Sequence, residues 1–220
     1  MIDGLFKARI DPLWDKAAPF LARRFTANQV TVLGLVLIAA SCGAFTLHKS
    51  LQTLGLCLAV SFAADSLDGA VARLRGETSR FGGYLDAVVD RYQEGIVFFT
   101  LALLGPSWIP AFLAYAGAML TSYAKARTAI EMPIDNNAWP DFFERQERII
   151  YLCALLILGP TLGGWAGLES QQVLTFGLWG LAILCHLTAL QRFLRARKLL
   201  MERDNQEPSA KRQDGGSAEH

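Results

Sequence analysis

The segment Asp65–Asp90, DSLDGAVARLRGETSRFGGYLDAVVD, decides how the rest of the chain is interpreted. It sets two pairs of aspartates, Asp65 with Asp68 and Asp86 with Asp90, in sequence that is otherwise apolar and helix-like. Residues three or four apart lie on the same face of an α-helix, so each pair can present its carboxylates together. Ionisable groups inside a membrane segment are costly unless they are paired or bind a cation. The four acids therefore predict a functional site.

Oxygen ligands of this kind favour a hard divalent cation. Two facing carboxylate pairs offer up to about eight oxygens, a set that suits Mg²⁺ or Mn²⁺. The alternative is a solvated helix face on which the acids pair with nearby arginines such as Arg73 and Arg91. Gly69, Gly82 and Gly83 favour the metal site, because they remove side-chain bulk and let a ligand or a second helix approach the backbone.

Composition and hydropathy predict a membrane protein. The chain has 220 residues, 52% of them hydrophobic, and its mean hydropathy is positive. Long runs without charge predict six transmembrane helices, since one span needs about 20 residues. The predicted bounds are 28–48, 52–74, 82–104, 108–130, 145–166 and 172–194.

The predicted fold class is all-α, with an N-terminal amphipathic helix in the membrane interface before the six transmembrane helices. Residues 1–26 repeat apolar side chains at three- and four-residue steps, which is typical of such a helix, or of an ordinary packing helix. The transmembrane catalytic domain then covers residues 27–198. The polar residues 199–220 are expected to form a disordered cytoplasmic tail. The four cysteines have no paired spacing and are expected to be buried free thiols.

Basic residues predict the orientation in the membrane. Although the formal net charge is only +1, every Lys and Arg except Lys49 falls on the side that holds both termini and the loops near 75–81 and 131–144. The positive-inside rule then predicts that both termini and the aspartates face the cytoplasm. We expect an integral protein of the cell inner membrane, in contact with the lipid bilayer and without a nucleic-acid partner.

The central segment fits the pattern D-x2-D-G-x2-A-R-x8-G-x3-D-x3-D and resembles the signature of the CDP-alcohol phosphotransferase family. The fixed positions are Asp65, Asp68, Gly69, Ala72, Arg73, Gly82, Asp86 and Asp90. Members of this family are integral membrane enzymes of phospholipid synthesis. The resemblance implies transfer of a phosphatidyl group from a CDP-linked lipid, such as CDP-diacylglycerol, to an alcohol, with release of CMP. It also implies a homodimer.

The resemblance further implies a role for each signature residue. Asp65, Asp68, Asp86 and Asp90 would hold two divalent ions, Mg²⁺ or Mn²⁺, against the diphosphate of the donor. Asp90 would also be the general base that takes the proton of the acceptor hydroxyl. The residues implied in binding the CDP group are Asn28, Thr31, Asp65, Asp68, Gly69 and Arg73.

Three short motifs in the later helices resemble the acceptor motifs of phosphatidylinositol-phosphate and archaetidylinositol-phosphate synthases. They are S-Y-A-K-A-R ending at Arg127, E-R-Q-E-R ending at Arg148, and T-x-x-Q-R ending at Arg192. The resemblance implies a phosphorylated polyol, inositol phosphate in particular, as acceptor. The residues expected to bind its phosphate are Lys125, Arg127, Arg148 and Arg192. Four unpaired cations brought together would attract such an anion strongly.

The chain departs from these synthases in two places. Thr128 and Ala129 follow S-Y-A-K-A-R where the synthases carry Ala-Glu, and the loop 128–144 is longer, with Trp139 and Pro140 inside it. Glycerol 3-phosphate is therefore an alternative acceptor. A UbiA-like prenyltransferase and a small cation-coupled transporter are more distant alternatives. Three further basic residues are interpreted as ordinary flanking charges: Arg195, Arg197 and Lys198.

Overall fold

The structure, a computed structural model, describes residues 18–105, 108–134, 139 and 141–214, with side chains through residue 205 except that of Leu104. Every regular element in these residues is helical, which confirms the all-α prediction. Residues 18–22 form a short helical segment. The longer helices are α1 (Ala27–His48), α2 (Leu51–Asp65), α3 (Asp68–Arg75), α4 (Arg80–Leu104), α5 (Trp108–Glu131), α6 (Arg145–Trp165) and α7 (Ser170–Asp214).

Polar side chains fix the starts of three of these helices. Thr26 and Gln29 form a capping box at α1, in which each side chain accepts a hydrogen bond from the other residue's backbone N–H. Ser50 and Ser79 cap α2 and α4 through their hydroxyl oxygens. Lys49, with a φ of 52°, ends α1 in the left-handed region, so that α2 turns back against α1 within two residues.

Four helical segments are long and apolar enough to cross a membrane by length and composition. They cover residues 27–48, 51–75, 145–165 and 170–205. Helices α4 and α5 occupy the positions predicted for the third and fourth spans, but they are not in this set of four, and α4 carries Asp86, Asp90, Arg91 and Glu94. The composition is that of an integral membrane protein.

The helices pack around one shared apolar core. Helix α2 lies between α1 and α6, while α5 lies between α4 and α7. The largest fully buried side chains at the centre are Ile38, Leu54, Leu58, Leu101, Leu156, Leu178 and Leu181. Helices α5 and α7 approach closely at Gly117, where a Cβ would lie 2.7 Å from the Cβ of Cys185. The cysteines are free thiols, buried at Cys42, Cys153 and Cys185 and half-buried at Cys57, in line with the prediction.

The structure differs from the sequence prediction at the C-terminal end. Helix α7 continues without a break to Asp214, whereas residues 199–220 were expected to be disordered. The extension carries a Lys198–Glu202 ion pair one turn apart (3.9 Å), and Arg203 donates to the backbone carbonyl of Glu131 at 2.7 Å. At the other end, most of the predicted amphipathic helix, residues 1–17, lies outside the described residues.

Candidate active site

The four aspartates lie where α2, α3 and α4 come together. Asp65 is the last residue of α2 and Asp68 the first of α3, so the two acids do not share one unbroken helical face as the spacing predicted. Between them, Leu67 N–H bonds to the Ala64 carbonyl (3.2 Å), which tightens the turn. Ser66 Oγ also donates to the Phe62 carbonyl (2.9 Å), a local bond that competes with a regular helix.

Three of the four aspartates form a compact group. Asp65, Asp86 and Asp90 each offer a carboxylate oxygen, and these oxygens lie within 4.8 Å of one another. Asp65 is buried, Asp90 is nearly so, and Asp86 is half-buried. Several carboxylates this close repel one another unless a cation lies between them, and an all-oxygen set suits Mg²⁺ or Mn²⁺. These three carboxylates, called the metal group below, therefore fit the predicted divalent cation.

Asp68 has different partners. Its Oδ2 accepts a hydrogen bond from Thr31 Oγ1 at 2.6 Å, and its Oδ1 accepts one from Gly69 N–H at 2.5 Å. These bonds link the start of α3 to α1, next to the metal group but outside it.

Two more of the residues predicted to bind CDP can be located. Asn28 lies beside the start of α4, since a Cβ on Gly82 would be 3.4 Å from Asn28 Oδ1. Arg73 is exposed on α3, one turn after Gly69. The structure thus brings Asn28 and Thr31 to the region where α3 and α4 begin, with Arg73 at its exposed side.

Sequence analysis missed two residues that contact the metal group. Gln93 is fully buried, donates to Asp65 Oδ1 (2.8 Å) and accepts from Arg145 Nη2 (2.7 Å). The same Arg145 nitrogen lies 2.7 Å from Asp90 Oδ1 and 3.4 Å from Asp65 Oδ2. The available signal was a polar side chain, Gln93, in an apolar helix one turn from Asp90.

Helix α1 passes very close to Asp65. A Cβ on Gly34 would overlap Asp65 Oδ1, so only glycine at this position leaves room for the carboxylate. Nothing in the sequence pattern around Gly34 indicated this contact.

A second buried group of charges adjoins the metal group. Glu94 accepts from Arg148 through both Nε (3.3 Å) and Nη2 (2.8 Å), and its other oxygen lies 3.4 Å from Arg91. Arg91 also donates to Ser122 Oγ on α5 and lies 3.6 Å from Asp90 Oδ2. Arg148, predicted to bind the acceptor, is therefore joined to Asp90 through Glu94 and Arg91.

Arg192 reaches the same region from α7. It donates to the carbonyl of Thr121, the residue before Ser122, and pairs with Asp141 in the loop after α5. Lys125 lies one turn further along α5 on the same face as Thr121. The structure thus links Arg148 to Asp90 through Glu94 and Arg91, and links Arg192 to Arg91 through Thr121 and Ser122, while Lys125 lies one turn from Thr121.

The expectation of four unpaired cations is wrong. Arg148 pairs with Glu94, Arg192 with Asp141, and Arg127 with Glu131 (2.6 Å). For Arg148 and Arg192 the reason is energetic, because a buried guanidinium without a partner costs several kcal/mol in proteins, whereas the Arg127–Glu131 pair is exposed.

Arg127 also lies apart from the others. It lines a groove of about 840 Å³ between α5 and α7, together with Tyr123, Glu131 and Arg197. Residues two apart on a helix point about 200° apart, so Arg127 and Lys125 face opposite sides of α5. The prediction that Arg127 joins the acceptor cluster is therefore corrected.

Comparison with known proteins identifies the family. The sequence model of the family described as CDP-alcohol phosphatidyltransferase matches residues 24–188. The chain belongs to this family. It is accordingly an enzyme, a membrane-bound transferase of phospholipid synthesis, and the alternatives of a prenyltransferase and a transporter are set aside. The Asp65–Asp86–Asp90 group fits the divalent cation that the family uses.

Curated relatives and solved structures extend the comparison. The transferase is 31% identical over 176 residues to the archaetidylinositol phosphate synthase of Pyrococcus horikoshii, covering 80% of this chain and 85% of that one. It is 32% identical over 176 residues to the phosphatidylinositol phosphate synthase of Mycobacterium tuberculosis, covering 76% and 77%.

Two crystal structures of the Mycobacterium tuberculosis synthase have the same fold. The form with CDP-DAG bound gives a TM-score of 0.69 at 26% identity and covers 84% of this chain and 94% of that one. The complex with manganese and citrate gives a TM-score of 0.70 at 28% identity, covering 83% and 88%.

Proposed function

We propose that this transferase moves the phosphatidyl group of a CDP-diacylglycerol-type lipid to a hydroxyl of inositol phosphate and releases CMP. The observation that carries the proposal is a connected set of arginines at and next to Asp90. Arg91 and Arg145 lie beside Asp90, and Arg91 and Arg148 share the single carboxylate of Glu94. Arg192 bonds to the carbonyl of Thr121, the residue before Ser122, which accepts from Arg91. A phosphate monoester carries nearly two negative charges at neutral pH, whereas free inositol carries none. The names of the relatives agree with this acceptor.

In the proposed reaction the acceptor hydroxyl oxygen attacks the phosphorus that carries the lipid. The bond from this phosphorus to CMP breaks, CMP leaves with the electron pair, and Asp90 takes the hydroxyl proton as general base. Arg145 and Gln93 hold the carboxylates of Asp90 and Asp65 in place through the contacts described above. Two divalent ions would neutralise the diphosphate charge when bound; Asp65, Asp86 and Asp90 are grouped to hold them, and Asp68, which lies beside this group, is expected as a further ligand.

The donor would bind at the junction of α1, α3 and α4. The Thr31–Asp68 bond fixes α1 against the start of α3, and Asn28 and Gly69 line the same junction. Arg73 is exposed there and can pair with a phosphate oxygen of the nucleotide. The acyl chains would then remain in the bilayer while the reacting phosphate lies at the interface.

We also infer that the chain crosses the membrane six times, with α4 and α5 as the third and fourth spans. Their exposed side chains are large and apolar, such as Phe99 and Leu103 on α4 and Phe112 and Leu120 on α5, whereas Glu94 is buried. That arrangement suits helices that face lipid outside and polar groups inside. Both termini and the aspartates would face the cytoplasm, and the homodimer stays an expectation from the family.

Cysteine labelling tests this topology. On a background without the four native cysteines, His48→Cys should react with a membrane-impermeant reagent only from the far side. Thr78→Cys, in the loop between α3 and α4, should react only from the cytoplasmic side. Labelling of residue 48 from the cytoplasm alone would overturn the six-span arrangement.

Glycerol 3-phosphate is the second candidate acceptor, because the same arginines can bind its phosphate. A CMP-release assay on purified transferase with CDP-diacylglycerol and Mg²⁺ separates the candidates. Inositol phosphate, glycerol 3-phosphate, inositol and serine are compared at equal concentration. We expect inositol phosphate to react fastest, and equal rates with free inositol or serine would contradict the proposed function.

A further inference from the structure

The loop between α5 and α6 places two side chains against α7. Asp141 is fully buried there, with Oδ2 paired to Arg192 and Oδ1 3.5 Å from Arg195 Nη1. The indole ring of Trp139, also buried, lies 5.4 Å from the guanidinium carbon of Arg195. Phe142 N–H bonds to Gln191 Oε1 at 3.2 Å, which holds this part of the loop on the helix.

Trp139, Asp141, Arg192 and Arg195 form a cluster in which the buried hydrogen-bond donors outnumber the acceptors. Among the residues that the structure describes, Arg192 Nε, Arg195 Nη1 and Trp139 Nε1 are buried donors without a hydrogen-bond partner, although almost all buried donors in proteins are satisfied. The one buried acceptor of the cluster without a hydrogen bond is Asp141 Oδ1, 3.5 Å from Arg195 Nη1. The cluster also holds two guanidinium charges against the one carboxylate of Asp141. A surplus of buried positive charge and unsatisfied N–H groups is what an anion requires.

The cluster is continuous with the active site. Arg192 bonds to the carbonyl of Thr121, and the next residue, Ser122, accepts from Arg91, which lies beside Asp90. An anion held by Arg192 is therefore connected to the general base through three polar contacts.

We propose that Arg195 joins Arg192 in a two-arginine subsite for the acceptor phosphate, and that Asp141 and Trp139 are its positioning residues. This rests on the proposed function. The Asp141 carboxylate lies between two like charges that would otherwise repel each other, so it fixes their separation. The Trp139 ring covers the guanidinium of Arg195 through a cation–π contact and leaves its N–H groups for the anion.

The subsite changes the interpretation of two sequence features. Arg195 resembles its neighbours Arg197 and Lys198 as a flanking charge, yet only Arg195 of these three contacts Asp141 and Trp139. The longer loop 128–144 supplies both positioning residues.

The test compares Arg195→Ala with Lys198→Ala, which removes an exposed charge less than one turn away on the same helix. Steady-state kinetics on the purified transferase vary inositol phosphate at saturating CDP-diacylglycerol. We expect Arg195→Ala to raise the acceptor KM at least about tenfold, as for a lost charge-assisted hydrogen bond, with the donor KM unchanged. Lys198→Ala should change neither constant.

Asp141→Asn tests the positioning role. It should raise the acceptor KM more than it lowers kcat, and Asp141→Glu should restore part of the loss, with thermal unfolding as the check on folding. If Asp141→Asn does not fold, the Arg195→Ala and Lys198→Ala comparison decides.

An unchanged acceptor KM in Arg195→Ala, or an equal rise in Lys198→Ala, would overturn the subsite. If Arg192→Ala raises the acceptor KM while Arg195→Ala does not, only the subsite fails. If neither Arg192→Ala nor Arg148→Ala affects the acceptor KM, the proposed function fails with it.

Discussion

Arg148 donates two hydrogen bonds to one oxygen of Glu94, and only 4% and 5% of these two side chains are exposed. The pair joins α6 to α4, one helical turn after Asp90 in the chain. A charged pair this deeply buried fixes geometry, because either partner alone would be an uncompensated charge.

Removing Glu94 should therefore destabilise the protein strongly. Glu94→Leu leaves Arg148 buried without its carboxylate, and we expect a loss of about 3–5 kcal/mol in the free energy of unfolding. Glu131→Leu, which breaks the exposed Arg127–Glu131 pair, is the matched control and should cost at most about 1 kcal/mol. Thermal unfolding in detergent measures both. Similar losses of unfolding free energy in the two variants would show that the buried Glu94–Arg148 pair stabilises the protein no more than the exposed Arg127–Glu131 pair.

Activity should depend on a divalent cation held by the aspartates. Asp65→Asn and Asp86→Asn should each nearly abolish CMP release and weaken Mn²⁺ binding, measured by electron paramagnetic resonance. Each variant removes a ligand from a shared site. Glu77→Gln, an exposed acid paired with Arg75, should leave both properties unchanged. Full turnover in the presence of EDTA would rule out the metal requirement.

Asp90→Asn should behave differently from the other aspartate variants. Loss of a general base lowers kcat by about 10²–10⁴-fold, while Asp65 and Asp86 can still bind Mn²⁺. The expected result is a much lower kcat with measurable Mn²⁺ binding and an unchanged donor KM. A normal kcat in Asp90→Asn would remove this residue from the base role.

Gly34→Ala should disturb the metal group from a position outside the family signature. The added methyl group must displace the Asp65 carboxylate, so we expect weaker Mn²⁺ binding and slower CMP release. Gly43→Ala on the same helix is the control, since a Cβ there meets nothing within 4 Å. It should leave Mn²⁺ binding unchanged and can add slightly to helix stability. Equal Mn²⁺ affinity in the two variants would contradict the close approach of α1.

Helix positions could be predicted from sequence because they depend on local patterns. The uncharged runs predicted 28–48 and 145–166, and the structure has Ala27–His48 and Arg145–Trp165. The break at Ser66–Leu67 was missed because apolar periodicity continues through it. The extension of α7 was missed because polar composition indicates disorder, whereas the contact of Arg203 with the Glu131 carbonyl depends on the tertiary fold.

The site residues could be predicted only where their spacing along the sequence indicates that their side chains lie together. The aspartates follow from their positions along two helices, and the structure groups Asp65 with Asp86 and Asp90. Asp141 gave no such signal, because it lies in the loop between α5 and α6 and its partner Arg192 is 51 residues away in α7. Likewise, the two-residue spacing of Lys125 and Arg127 indicates opposite sides of α5, but sequence could not tell which of these sides faces the active site.

Arg192 and Arg203 connect α7 to α5 at two positions along the helices, because they donate hydrogen bonds to the backbone carbonyls of Thr121 and Glu131. About 16 Å of helix separates the two arginines, and about 15 Å separates the two carbonyls, because each residue adds 1.5 Å. The matching lengths allow both bonds at only one register of these two parallel helices. A slide of one turn would break both bonds, and a chain ending at Lys198 would keep only the first. The polar end of α7 therefore adds a second fixed point to the register in which Arg192 and Arg195 lie beside α5.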